Sequence, residues 1–293
     1  MIELKAYAKI NLTLDVLGQR QDGYHEIDSL VQTVNLYDTL VLERAPEMRL
    51  ASSGYDAPSD ERNLVWQAYV LLKERFGLEG GVSATITKRI PTQAGLGGGS
   101  SDAAAALLGT ARLYGVEPTE RELMAMAAEL GSDVPFFLTG GTARMRGSGE
   151  IIEPLPDAPE MNLVIVWPGF GVSTAQAYRR LDERDVPSAA ATEKALEAVK
   201  AGDIEGLLDS MSNDFECVVL DDYTELAEIK DLMCRLGSKS TLLCGSGSAM
   251  VGVMIDRDHA QEVANRMRKE YSDVWATRTI SRSRVLEDLN WTL

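Results

Sequence analysis

The chain has 293 residues, of which 45% are hydrophobic and 25% charged, and its formal net charge is -16. This composition is typical of a globular protein, and the length fits one large domain or two of ordinary size. The negative charge argues against nucleic-acid binding, which needs a basic face, although backbone amides and a few cations can still hold a phosphate on an acidic protein.

The cysteines and histidines argue against a structural zinc site or a disulfide framework. Cys217, Cys234 and Cys244 form no CxxC pair, and the only histidines are His25 and His259. Zinc sites need closely spaced ligands, and three cysteines cannot all pair within one chain. The N-terminus has no basic segment followed by an apolar run, and no stretch approaches the ~20 apolar residues of a spanning helix. We therefore expect a cytoplasmic protein with no membrane partner.

Strands and helices are predicted to mix in the first half of the chain, with a polar turn at residues 18–23. Predicted strands lie at residues 2–16 (one or two strands), 29–44 (a pair that breaks at 35–38) and 82–90. Predicted helices are one capped by Asn63, a buried one at 101–114 with mostly small apolar side chains, and one at 120–130. Residues 140–149 are predicted to be a turn-rich stretch between short strands.

A proline-rich acidic stretch at residues 154–159 predicts a boundary, which gives domains 1–155 and 156–293. Predicted strands of the second half lie at 162–167, on both sides of 245–247, and at 275–280. Predicted helices lie at 174–181, 190–201, 204–211, 226–236 and 258–271. The mixture favours an α+β fold over a doubly wound sheet, with a ferredoxin-like second domain.

A glycine-rich loop between a predicted strand and a predicted helix is the most informative segment. Its candidate phosphate-binding residues are Pro91, Ala94, Gly95, Leu96, Gly97, Gly98, Gly99, Ser100 and Ser101. Glycines let backbone amides converge on a phosphate, and the helix N-terminus adds its positive end. The two serines can donate hydroxyls to phosphate oxygens or help to coordinate magnesium. The chain has no Gly-Lys pair and Ser100 interrupts G-x-G-x-x-G, so the loop is neither a Walker A motif nor a dinucleotide fingerprint.

Two further segments carry polar residues that gain meaning only beside this loop. Lys9 and Asn11 share one face of the first strand, opposite Ile10 and Leu12. Taken alone, such a lysine is most often a solvated strand residue. Asp133 follows a Gly-Ser turn and precedes an apolar run, and a lone aspartate in that position is usually a helix cap.

Three segments together resemble the motifs of the GHMP kinase superfamily in order and spacing. They are residues 8–12 (AKINL), 95–101 (GLGGGSS) and 244–248 (CGSGS). Residues 23–26 (GYHE) and 131–135 (GSDVP) further resemble the branch that phosphorylates a cytidine-diphosphate-linked methylerythritol. The resemblance implies a two-domain GHMP kinase fold, ATP and Mg²⁺ as cofactors, and a small-molecule substrate.

The resemblance also implies roles for individual residues. Lys9 and Asp133 would be catalytic: Asp133 would orient or deprotonate the substrate hydroxyl, and Lys9 would stabilise that carboxylate and the transferred phosphoryl group. Tyr24 and His25 would recognise the cytosine, and Tyr178 would lie on the other face of the base. The remaining implied substrate-binding residues are Asn11, Thr174, Gly245, Ser246 and Gly247.

Two other functions remain open at this point. Another kinase of the superfamily, acting on homoserine, mevalonate or galactose, would have no nucleobase to bind, so residues 23–26 argue against it. A regulatory nucleotide-binding protein without catalysis would have no reason to keep both Lys9 and Asp133. Without the family resemblance, His25 would be interpreted as a turn histidine with no binding role. The sequence leaves the oligomeric state open between a monomer and a homodimer.

Overall fold

The computed structural model describes residues 1–184 and 188–291, and it has the expected α+β architecture built on two sheets. The larger sheet has eight strands. Seven of them come from the first half of the chain: β1 (Ile2–Asn11), β2 (Thr13–Gln19), β3 (His25–Ala45), β4 (Arg49–Gly54), β5 (Gly81–Lys88), β6 (Thr142–Gly147) and β7 (Ile151–Pro154). The eighth, β9 (Ser212–Asn213), comes from the second half of the chain.

Strand β3 is the centre of this sheet, because it pairs with β1, β2, β5 and β6. The predicted break at residues 35–38 is wrong, since β3 runs through it. Tyr7 pairs with Tyr37 but the next residue, Ala8, pairs with Val34, so β3 carries a bulge there. A bulge places extra residues in one strand without ending it. Residues 140–149 are likewise not mainly turn, since β6 occupies most of them.

Four helices pack in the first half of the chain: α1 (Leu64–Phe76), α2 (Gly98–Tyr114), α3 (Glu120–Leu130) and α4 (Val134–Thr139). The predicted cap of α1 is confirmed, because the Asn63 side chain accepts a hydrogen bond from the Val65 amide. The predicted bounds of α3 are also confirmed, and Thr119 and Glu122 form a capping box there. Helix α2 is buried as expected but begins three residues earlier than predicted, inside the glycine run.

The second sheet has the strand order β10-β11-β8-β12, with all neighbours antiparallel. Its strands are β8 (Asn162–Trp167), β10 (Ser240–Leu243), β11 (Met250–Met254) and β12 (Asp273–Arg278). Numbered along the chain this order is 2-3-1-4, which is the ferredoxin-like arrangement that the sequence predicted. The helices of this half are α5 (Thr174–Arg184), α6 (Thr192–Ala201), α7 (Ile204–Ser210), α8 (Glu216–Asp222), α9 (Thr224–Arg235) and α10 (Arg257–Met267).

Two late elements cross back to the first half of the molecule. The short strand β9 (Ser212–Asn213) pairs in parallel with β2 in the larger sheet. Helix α11 (Arg282–Leu289) places Val285 and Leu289 in the core beneath that sheet. The sequence did not predict β9, α8 or α11. Within the described part of the chain, each helix is too short or too polar to cross a bilayer.

Candidate active site

A cleft of about 730 Å³ opens between the two halves of the molecule. Its walls come from β1, the turn between β2 and β3, the glycine loop, the start of α4, helix α5 and the turn between β10 and β11. The sequence-predicted residues that line it are Lys9, Asn11, Tyr24, His25, Gly95, Gly97, Ser100, Asp133, Thr174, Tyr178, Gly245 and Ser246. The fold therefore brings together all three segments that resembled superfamily motifs.

The conformation of the glycine loop requires glycine at two positions. Gly95 and Gly97 have φ angles of 76° and 71°, a region that other residues rarely adopt. A Cβ added to Gly95 would lie 1.7 Å from the carbonyl oxygen of Cys244. Because α2 begins at Gly98, its first free amides belong to this loop, which is a favourable arrangement for an anion.

Several predicted loop residues lie behind the cleft. Ala94 and Leu96 are buried in the core under the second sheet, and Ser101 is buried while its neighbour Ser100 lines the cleft. Pro91, Gly98 and Gly99 are also absent from the cleft lining. In this arrangement the side chains of the loop fix its position and its backbone faces the cleft.

The turn between β10 and β11 packs against the loop. The Ala249 amide donates to the Ala94 carbonyl at 3.1 Å, and the Asn213 side-chain amide donates to the carbonyls of Leu243 and Gly245 at 2.8 and 2.7 Å. Gly245 and Ser246 reach the cleft, but Gly247 packs behind it. The second domain thus supplies the floor on which the glycine loop rests.

Lys9 lies at the centre of the cleft and is not a solvated strand residue. It is 5% exposed, and its amide donates to the Leu96 carbonyl in the glycine loop at 3.0 Å. Its ammonium donates to Asn11 Oδ1 at 2.7 Å and lies 3.6 Å from Asp133 Oδ2. A buried cation within reach of both the loop and a carboxylate is suited to stabilise charge on a transferred group.

Asp133 stands at the N-cap position of α4, yet its side chain makes no capping hydrogen bond. The carboxylate points instead toward Lys9, and 36% of the side chain is exposed to the cleft. An exposed carboxylate held beside a buried ammonium is available to accept a hydrogen bond or a proton from a bound hydroxyl. The geometry therefore favours a functional role for Asp133 over a purely structural cap.

An aromatic wall lies at the other end of the cleft. The rings of His25 and Tyr178 stack with centroids 4.2 Å apart and an interplanar angle of 14°. Asp182 Oδ1 lies 2.8 Å from His25 Nε2 and fixes the imidazole. The ring of Tyr24 is 63% exposed. His25 and Tyr178 are thus in direct contact, and Tyr24 is the exposed aromatic residue of this wall.

Burial raises the pKa of Tyr178 to about 12, and the negative charge of Asp133 contributes to the shift. The phenol therefore keeps its proton at neutral pH and can donate a hydrogen bond inside the cleft. The hydroxyls of Thr174 and Ser246 lie 2.8 Å apart, which joins the start of α5 to the turn after β10.

Eleven cleft residues were not among the predicted site residues: Leu14, Gln19, Gly23, Ile27, Ser132, Met145, Ser148, Ala175, Arg179, Asp182 and Phe215. A signal existed for Asp182, which lies four residues after Tyr178 and so shares its helix face, but the predicted helix ended at residue 181. Ser132 adjoins Asp133 in the sequence. The Ser148 hydroxyl lies 3.3 Å from the Ser132 hydroxyl, a contact that only the tertiary fold creates. Phe215 gave no signal, because only the tertiary packing places it against Tyr178.

Comparison with known proteins agrees with this geometry. The family model of the GHMP kinases N terminal domain matches residues 63–141, and that of the GHMP kinases C terminal matches residues 195–273. The 4-diphosphocytidyl-2-C-methyl-D-erythritol kinase of Moorella thermoacetica is 42% identical over 284 residues, which cover 96% of this chain and 99% of the relative. The enzyme of the same name from Bacillus pumilus is 42% identical over 285 residues, 97% of this chain and 98% of the relative.

Solved structures give the same result. A crystal structure of 4-(cytidine 5'-diphospho)-2C-methyl-D-erythritol kinase matches with a TM-score of 0.81 and 38% identity, over 95% of this chain and 99% of that one. The mevalonate kinase of L. major matches with a TM-score of 0.75 but 17% identity, which shows a shared fold alone. The chain is thus an ATP-dependent phosphotransferase, and it belongs to the 4-diphosphocytidyl-2-C-methyl-D-erythritol kinase family of GHMP kinases.

Proposed function

We propose that this protein transfers the γ-phosphoryl group of ATP to 4-diphosphocytidyl-2-C-methyl-D-erythritol and forms its 2-phosphate, a step of the non-mevalonate route to isoprenoid precursors. One observation carries the proposal: a single cleft contains a glycine loop suited to binding phosphate, the Lys9–Asp133 pair, and an aromatic wall that includes Tyr24 and His25. The three parts suit a phosphate donor, a reacting hydroxyl and a nucleobase, in that order along the cleft.

The glycine loop is proposed to bind the phosphates of ATP through backbone amides. The bend at Gly95 and Gly97 and the start of α2 fit this ligand, since a Cβ at either glycine would displace the loop. Mg²⁺, when bound with ATP, neutralises phosphate charge. Ser100 is the loop hydroxyl that lines the cleft, and we propose it as the side chain that would contact the metal or a phosphate oxygen.

Asp133 is proposed to take the proton of the substrate hydroxyl, or to orient that hydroxyl, as it attacks the γ-phosphorus. Lys9 would hold Asp133 in place and stabilise negative charge on the transferred group. Phosphoryl transfer passes through a loose transition state in which positioning and charge stabilisation dominate. Lys9 fits both tasks, because it touches the loop through its amide and approaches Asp133 through its ammonium.

The cytidyl end of the substrate is proposed to bind at the aromatic wall. Tyr24 is exposed and available for stacking, and His25 offers its backbone and Nδ1, since Nε2 contacts Asp182. Tyr178 is proposed to lie on the other face of the base, beside His25, which its ring contacts. The substrate chain would then pass the remaining proposed contacts, Asn11, Thr174, Gly245, Ser246 and Gly247.

The deciding experiment measures ADP release from MgATP with four acceptors: the diphosphocytidyl-methylerythritol, homoserine, mevalonate and galactose. Turnover with the cytidyl acceptor alone is expected, because the other three have no base to place against Tyr24 and His25. Turnover with another acceptor would keep the kinase and overturn the substrate. ATP binding without any turnover would favour the regulatory alternative.

We also propose that the protein works in the cytoplasm, as a monomer or a homodimer. The three cysteines are free thiols in the structure, which suits a reducing compartment. Light scattering on the purified protein distinguishes the two oligomeric states, and fractionation of the source cells tests the location.

A further inference from the structure

Three charged residues form a buried cluster beneath the glycine loop, outside the cleft. Lys88, Asp38 and Asp102 are all buried. The Lys88 ammonium donates to Asp102 Oδ2 at 2.7 Å and to Asp38 as well. None of the three lines the cleft, and the proposed reaction assigns them no task.

The cluster closes the base of the loop. Lys88 is the last residue of β5, and Asp102 lies near the beginning of α2, fourteen positions further along the chain. The whole glycine loop lies between them. A contact between the two ends of a loop reduces the conformations that its middle can adopt. Lys88 and Asp102 therefore hold the two arms of the loop at a fixed separation.

Asp38 fixes the same arm from the centre of the sheet. Its Oδ1 accepts hydrogen bonds from the amides of Arg89 and Ile90, at 2.5 and 2.8 Å, just before the loop begins. A Cβ added to Gly98 would lie 3.2 Å from Lys88 Nζ, so the ammonium packs directly against the first residue of α2. Strand β3, the end of β5 and the start of α2 thus meet at one cation.

Stability alone does not account for these charges. Taking ionisable groups out of water carries a large desolvation penalty, which raises the pKa of Asp102, and apolar side chains of similar volume often stabilise a core as well. The cluster holds two carboxylates for one ammonium, and Asp102 Oδ1 has no hydrogen-bond partner in the described part of the chain. Directional contacts do, however, specify one geometry, which loosely packed apolar groups do not.

We infer that Lys88, Asp38 and Asp102 are positioning residues that hold the glycine loop in the conformation that binds the phosphates of ATP. The inference rests on the proposed role of the loop in ATP binding. The three residues act through the backbone amides of the loop and do not touch the nucleotide. Loss of the cluster would weaken ATP binding and leave the acceptor end of the cleft intact.

The test measures the affinity of variants for MgATP by calorimetry, in the absence of acceptor. Asp102→Ala removes the contact and leaves Lys88 paired with Asp38. We expect MgATP to bind about tenfold more weakly, since small misplacements of binding groups have effects of that order or larger. Asp102→Asn keeps an oxygen acceptor for Lys88 and should retain most of the affinity.

A second variant separates positioning from stability. The triple change Lys88→Met, Asp102→Leu and Asp38→Asn replaces all three ionisable side chains with neutral ones, and such complete replacements are often neutral for folding. We expect a thermal midpoint near that of the wild type together with weakened MgATP binding. The matched control is Asp15→Ala, a buried aspartate outside the cleft that accepts hydrogen bonds from the amides of Ala191 and Thr192. It should lower the thermal midpoint without changing MgATP affinity.

Wild-type MgATP affinity in Asp102→Ala or in the triple variant would overturn the inference. Because calorimetry needs no acceptor, this result is independent of which substrate is phosphorylated. Failure of the wild-type protein itself to bind MgATP would instead overturn the proposed function. In the steady state, the variants should raise the KM for ATP and leave the KM for the cytidyl acceptor unchanged.

Discussion

Asp133 is the residue on which the proposed chemistry depends most directly. Asp133→Asn removes the proton acceptor and the charge beside Lys9 but keeps the shape of the side chain. We expect kcat to fall by about 10²–10⁴-fold, the usual contribution of a positioned acid or base. The MgATP dissociation constant should stay unchanged, because other residues form the loop. Steady-state kinetics and calorimetry measure the two effects.

The control for this change is Asp221→Asn, which alters an aspartate paired with Arg184 on the surface. It should leave both quantities at their wild-type values. Near-normal turnover in Asp133→Asn would show that positioning and Lys9 suffice and that no group needs to accept the proton.

Tyr24 presents the exposed ring at the aromatic wall, so its removal should affect the acceptor alone. Loss of one base–aromatic stack is worth about 1–3 kcal/mol. Tyr24→Ala should therefore raise the KM for the cytidyl acceptor by about tenfold or more, with the KM for ATP unchanged. His25→Ala should act in the same direction. Unchanged acceptor KM in both variants would remove the cytosine site from this wall.

The sequence located the residues that act within short motifs and missed those that depend on contacts between motifs. Lys9 and Asp133 each gave a weak signal alone, and their pairing followed from a family resemblance. The stack of His25 on Tyr178 joins residues 153 positions apart, and Asp182 then fixes the imidazole. Local periodicity holds no information about such a contact, since it forms only when the second domain packs against the first.

At the scale of elements, the glycine loop and the turn after β10 behave as one unit. Gly95→Ala would drive a Cβ to 1.7 Å from the Cys244 carbonyl and would also force a positive φ on alanine. We expect a clear drop in the thermal midpoint and loss of MgATP binding. Differential scanning fluorimetry with and without MgATP measures both effects.

Gly99→Ala is the matched control for folding. Gly99 lies within α2, has no atom within 4 Å of an added Cβ, and does not have a positive φ. Alanine favours a helix over glycine by up to about 1 kcal/mol, so the thermal midpoint should hold or rise. An equal loss of stability in the two variants would contradict the close contact between loop and turn.

Elements with strong local signals were predicted well, and those formed by tertiary contacts were not. Asn63 and Thr119 each cap a helix by accepting a backbone hydrogen bond, although only the Asn63 cap is predicted from the sequence. The predicted break in β3 coincides with its bulge, where two extra residues are accommodated without ending the strand. Strand β9 has two residues and carries no periodicity, so only its pairing with β2 defines it.

At the scale of the whole molecule, a domain boundary is predicted near residue 155, but the hydrophobic core of the first half includes side chains from the second half. The core under the larger sheet contains Ile280, Val285 and Leu289 from the far end of the chain. Helix α11 is further tied to β1 by hydrogen bonds from Lys5 and Tyr7 to Asp288. The core of the first half of the chain is thus completed by residues of the second half.

Helix α11 also supports the helix that follows Asp133. A Cβ added to Gly140, at the end of α4, would lie 2.7 Å from a Val285 methyl group, so the two helices are in close contact.

Leu289→Ala should therefore destabilise the first half of the molecule as a core substitution does, by about 2–5 kcal/mol. Urea unfolding followed by tryptophan fluorescence measures the change. Glu287→Ala, on the exposed side of the same helix, should shift the free energy of unfolding by less than about 0.5 kcal/mol. Equal, small effects from both changes would mean that α11 is an appendage, and that the first half of the chain completes its core without it.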